Sequence, residues 1–195
     1  MAKKYKNKRK LEANRKKRDA ASLVSKYGLR LDDDICTVNF VFTHLGMSHL
    51  NYMAFKSINK LCKEYFGINI SVFTEHMVSK CVQLLCPVFN IADIDRINNS
   101  PAVSTNISTT IACIHSNCSS VYYYCFDPEF VKNCHYNIQQ LRDVFLNPKV
   151  KIITRHKSHR QLIETEFGIK THDIILQDFD ASKFVQIAIS ESRNE

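Results

Sequence analysis

Four glycines in 195 residues leave little material for the tight, backbone-lined loops that cradle phosphate groups. Neither G-x-G-x-x-G nor G-x-x-x-x-G-K-[ST] occurs, which argues against classical nicotinamide binding and P-loop hydrolysis. G-x-S-x-G is also missing, and with it the usual nucleophile of an α/β-hydrolase. No apolar stretch approaches the roughly 18 residues of a membrane span, so no membrane association is expected. No C-x-x-C pair exists; Cys81 with Cys86 and Cys113 with Cys118 are each spaced C-x4-C without a matching second pair, and no metal site is expected. Met1 to Arg18 lacks an apolar signal region and a cleavage site. The eight cysteines are therefore expected to stay reduced, most of them as small hydrophobes within apolar runs, and the sequons at Asn69, Asn106 and Asn117 to stay unmodified.

What the chain does have is charge, unevenly placed. Its formal net charge is +8, yet residues 1–30 hold twelve Lys or Arg against only Glu12 and Asp19. The remaining residues are slightly acidic, with fifteen basic and seventeen acidic side chains. The length suits one domain, so the organisation expected is a basic arm, 1–30, followed by a single α/β domain, 31–195. A stretch such as Lys3-Lys4-Tyr5-Lys6-Asn7-Lys8-Arg9-Lys10 buries too little apolar surface to offset its ordering entropy, which predicts a disordered arm or one that folds as a helix on a partner. Its cations, Lys3, Lys4, Lys6, Lys8, Arg9, Lys10, Arg15, Lys16, Lys17 and Arg18, exceed what solubility requires and point to nucleic acid or another polyanion.

Behind the arm, Ile35 to Phe42 is a nearly continuous β-branched and aromatic run, as in a strand buried on both faces of a parallel sheet. Ser48 can cap a helix reaching Phe66, with Met53, Phe55, Ile58, Leu61, Cys62 and Tyr65 as its apolar stripe, and Gly67 ends it before a strand over 68–73. The segment 78–92, interrupted by Pro87, reads as a short helix and then a strand. Further strands are expected over 101–104, 121–126, 150–154 and 172–176, and helices over 106–115, 137–145, 156–167 and 181–189. The alternation predicts a Rossmann-like, doubly wound, mainly parallel sheet. Tyr122, Tyr123 and Tyr124 then face alternate sides of a strand, which favours core packing over a base-stacking platform.

In such sheets ligands bind beyond the carboxyl ends of the strands. The loops to watch are 43–49, 104–108, 126–130 and 154–158, which places Gly46, Ser48, His49, Thr105 and Asn106 among candidate ligand contacts. Arg155, Lys157, Ser158 and His159 open a helix and suit either a bound phosphate or a merely solvated basic turn. His156 and His159 are spaced i, i+3, but the surrounding cations oppose a metal there.

Several segments together resemble the glycosyltransferases of the GT-B fold, specifically the short glycosyltransferase-like proteins of tailed bacteriophages. These are 120–130 (SVYYYCFDPEF), similar to a strand ending in an aromatic and acidic loop; 151–159 (KIITRHKSH) with Leu162-Ile163 and Phe167-Gly168-Ile169; 175–180 (ILQDFD) with Phe184; and 101–106 (PAVSTN). The likeness spans about residues 35–190. It implies an acceptor-side Rossmann-like domain, a nucleotide-sugar donor, and a host-cytoplasmic location. By the same likeness, transfer requires either a second chain that supplies the donor-binding domain or a single domain that binds its donor in an unusual way. On the resemblance, Asp127 and Glu129 are acid/base candidates, Arg155 and His159 stabilise phosphate, and DNA is a possible acceptor. A different class of function, a non-enzymatic binding or structural protein that uses the arm on DNA or RNA, remains open beside it.

Overall fold

The computed structural model describes residues 36–64, 67–77, 81–97, 99–128, 130 and 136–192; the basic arm and Glu129 lie outside them. Six strands form one all-parallel sheet: β1 (Cys36–His44), β2 (Ile68–His76), β3 (Val88–Asn90), β4 (Ala102–Ser104), β5 (Val121–Cys125) and β6 (Val150–Thr154). Their spatial order is β3-β2-β1-β4-β5-β6, so the winding reverses between β1 and β4. This is the Rossmann arrangement. Register runs from Cys36 opposite Ile68 to His44 opposite His76 on one side of β1, and from Asn39 opposite Ala102 to Val41 opposite Ser104 on the other.

Helices cover both faces, which is why the central strands read as unbroken apolar runs. On one face α1 (His49–Glu64) and α5 (Ala181–Ser192) bury Phe55, Ile58, Leu61, Phe184 and Ile187 against Phe40, Phe42 and Tyr124. On the other, α2 (Ile107–His115), α3 (Ile138–Phe145) and α4 (Lys157–Phe167) bring Ile107, Phe145 and Ile163 onto Tyr123 and Ile152. The three tyrosines of β5 are at most 1% exposed. They alternate as expected: Tyr124 meets Phe179 and Phe184, and Tyr123 meets Phe145. One buried polar residue sits within β1, and its neighbours satisfy it. Buried Asn39 donates to Ser100 Oγ (2.9 Å) and accepts from Ser71 Oγ (2.6 Å), joining β1 to β2 and to the entry of β4.

Local chemistry sets the helix ends. Asn106 and Asn137 each form a capping box, with Thr109 and Gln140 respectively, and Gly168 closes α4 at φ 64°. Two expectations are corrected. Among the described residues, 81–97 contains no α-helix, only β3 and a 3₁₀ turn at Ile91–Arg96 capped by Asn90. Residues 172–176 do not form a strand. They run beside β6 with one bridge, Thr154 to Ile175, because the Ile174 amide turns aside to His172 Nδ1 (3.1 Å) and interrupts the ladder. Tyr65 of the expected α1 stripe and Phe66 at the expected end of the helix lie outside the described residues, and Met53 and Cys62 are half-buried rather than central; the buried side is Asn51, Ala54, Phe55, Ile58 and Leu61.

Candidate functional site

A cleft of about 410 Å³ opens at the carboxyl ends of β1, β4 and β5, where the winding reverses. Its walls are Thr43, His44, Ser48, His49, Leu50 and Asn51 from the first turn, Thr105 and Asn106 from the second, and Phe126 and Asp127 from the third. Two helices begin at it, so the partial positive charge of two N-termini points toward the same space.

The first turn is built without a glycine-rich loop. Ser48 Oγ caps α1 by accepting from the Asn51 amide (3.0 Å). Asn51 Nδ2 in turn donates to the carbonyls of His44 and Gly46, both at 2.9 Å, and lies 3.3 Å from His44 Nδ1. The Gly46 amide donates to the same Nδ1 (3.1 Å). A neutral His44 ring that accepts at Nδ1 carries its proton on Nε2. A buried asparagine and a histidine thus close the turn.

Across the cleft, Asn106 donates from Nδ2 to Thr43 Oγ1 and accepts at Oδ1 from the Thr109 amide (2.8 Å). Ser108 Oγ reaches Glu75 Oε1 at 2.9 Å, tying α2 to the end of β2. Thr43 and Ser48 each accept one bond here, which leaves each hydroxyl a hydrogen to donate and a second lone pair. The first two turns are therefore rich in donors, and Asp127, exposed on the third, supplies a carboxylate acceptor.

Phe126 forms the remaining wall. Its ring lies 5.9 Å from that of His49 and 4.2 Å below the Arg155 guanidinium. Arg155 Nε also donates to the Gln177 carbonyl (2.9 Å), so this cation is held at the edge of the cleft rather than within it. Lys157 and Ser158 are exposed in the first turn of α4, whose N-terminal residue His156 makes no capping bond; His159 is half-buried with its ring 5.1 Å from that of His156. Beneath that turn the Thr154 hydroxyl is wholly buried, with no hydrogen-bond partner among the described residues.

Of the residues singled out from sequence, Ser48, His49, Thr105, Asn106 and Asp127 line one cleft. Gly46 contributes its backbone to the turn, Arg155 reaches the cleft through Phe126, and Lys157, Ser158 and His159 do not line it. Glu129 and the ten arm cations fall outside the described residues. Thr43, His44, Leu50, Asn51 and Phe126 complete the cleft and were not individually legible; for Asn51 the available signal was an asparagine three residues after a capping serine, on the buried side of a helix. Among the described residues, no group of three or more His, Cys, Asp or Glu is arranged to hold a metal, and no helix is long and apolar enough to cross a membrane. Comparison with protein-family models, with curated proteins and with solved structures finds no match for this chain.

Proposed function

We propose that the chain is a glycosyltransferase-like protein whose switch-point cleft takes a sugar bearing a phosphate or nucleotide, with Asp127 as the base that receives the proton of the attacking hydroxyl. The observation that carries this reading is the division of the cleft into a donor-rich side and a carboxylate side beside an aromatic wall. Sugar hydroxyls and phosphate oxygens accept from donors such as Ser48, Thr43 and the α1 N-terminus, and the C–H face of a sugar ring packs on a ring such as Phe126. In transfer, an acceptor oxygen bonds to the anomeric carbon, the bond to the phosphate oxygen breaks, and the acceptor's proton passes to Asp127. The leaving phosphate keeps the electron pair, and helix N-termini with Arg155 at the edge stabilise its charge.

Calorimetry with UDP-glucose, paired with a transfer assay on hydroxymethylated DNA, tests it. Asp127→Asn is expected to keep binding of the nucleotide-sugar and to lose transfer by about 10²–10⁴-fold, the usual weight of a general base. Absence of both binding and transfer by the unaltered chain overturns the proposal. A second reading, a non-enzymatic polyanion-binding protein on a Rossmann-like scaffold, is favoured by the charge division between arm and body. It predicts nucleic-acid binding with an inert cleft.

A further inference from the structure

Asn59 and Cys62 lie one turn apart on the same side of α1. The Asn59 side chain clamps the backbone ahead of β3 at two points, donating to the Gln83 carbonyl (2.7 Å) and accepting from the Leu85 amide (2.8 Å). This clamp sets the next residue, Cys86, beside Cys62, and the two thiols share a hydrogen bond. Both are half-buried, reduced, and packed on the rim of the same apolar cluster. We propose that Cys62 and Cys86 are a redox-modification site that closes to a reversible disulfide by exchange with a low-molecular-weight disulfide.

The hydrogen bond from Cys86 pulls the Cys62 thiol below its ordinary value against the opposing effect of burial, which makes Cys62 the attacking thiolate. It bonds to one sulfur of the small disulfide, whose S–S bond breaks and releases one thiol. Cys86 then attacks the Cys62 sulfur and releases the second thiol. Two protein thiols have lost two electrons and two protons, and the small disulfide has gained both. Among the described residues, the other close thiol pair lacks the access this exchange needs: the hydrogen bond from Cys113 pulls the Cys118 thiol down to about 7, but Cys113 and Cys118 are 0% and 5% exposed and out of reach of a small disulfide.

The full chain is incubated with oxidised glutathione, its remaining thiols are blocked with N-ethylmaleimide, and it is digested with trypsin without reductant. The expected result is loss of the separate peptides 61–63 and 81–96 into one cross-linked species, with fragmentation placing the bond at Cys86 and dithiothreitol restoring both peptides. Cys81→Ser keeps the cross-link, and Cys86→Ser replaces it with a glutathione adduct on Cys62. A bond through Cys81, a persistent glutathione adduct on Cys62 in the unaltered chain, or an unmodified Cys62 overturns the inference.

Discussion

Asn51 carries the first turn of the cleft, since its single amide group donates to the backbone carbonyls of both His44 and Gly46. Asn51→Ala removes both of these bonds from part-buried carbonyls, a change that costs about 1–3 kcal/mol. Asn51→Asp costs more, because a carboxylate then faces the same carbonyl oxygens. Urea denaturation should show both variants with a lower midpoint and unchanged slope, Asp lower than Ala; a midpoint equal to that of the parent chain would contradict this account. The residue also marks a boundary of what sequence discloses. Ser48 is legible because capping hydroxyls sit at a fixed offset from the apolar stripe. Asn51 is not, because its partners are carbonyls of the preceding strand end and turn, and their positions follow from the fold alone.

Helix α5 is held at its end by one carboxylate. Glu191 accepts from Tyr122 Oη and from Lys151 Nζ (2.7 Å), and His172 Nε2 lies 3.4 Å away, so the helix is fastened to β5, β6 and the segment after α4. Burial raises the pKa of this carboxyl, but the bonds from Lys151 and Tyr122 and the charges of Lys151 and His172 outweigh it, and Glu191 titrates below its ordinary value near 4.5. The folded state therefore holds its negative charge more tightly than the unfolded chain does. The stabilisation is fully present above about pH 4.5 and is lost as pH falls through the lower, folded value. Glu191→Gln should lower stability at neutral pH by about 1 kcal/mol, given partial exposure, or about 2–4 °C in Tm, and should flatten the acid limb of a Tm-against-pH curve. An identical acid limb would refute it. The elements themselves were largely readable where punctuation is local: β6 and α4 have the limits that Thr154, the following basic turn and Gly168 suggest. Reading failed where tertiary bonds decide. The alternation of 172–176 fits a strand, but His172 Nδ1 captures the Ile174 amide and Tyr124 Oη occupies the Leu176 carbonyl at 2.8 Å.

At the scale of the molecule, the same chain joins a segment of charge +10 to a slightly acidic remainder, and the cleft lies wholly in the latter. If the cations of residues 1–30 carry polyanion binding, each phosphate neutralised releases condensed counterion, and affinity falls steeply with salt. Six to ten contacts correspond to a loss of about 10³–10⁵-fold in affinity between 50 and 200 mM salt on duplex DNA. Fluorescence anisotropy with a labelled duplex should give that slope for the full chain and no measurable binding for the chain lacking residues 1–30, because the remainder repels phosphate on average. The truncated chain should still bind UDP-glucose with unaltered affinity, since none of the cleft's walls belongs to the deleted segment. Undiminished DNA binding after truncation would move the polyanion surface onto the α/β body, where the exposed Lys157 beside the edge-held Arg155 would be the first place to look. Loss of both activities would instead tie the arm to the cleft and refute their separation.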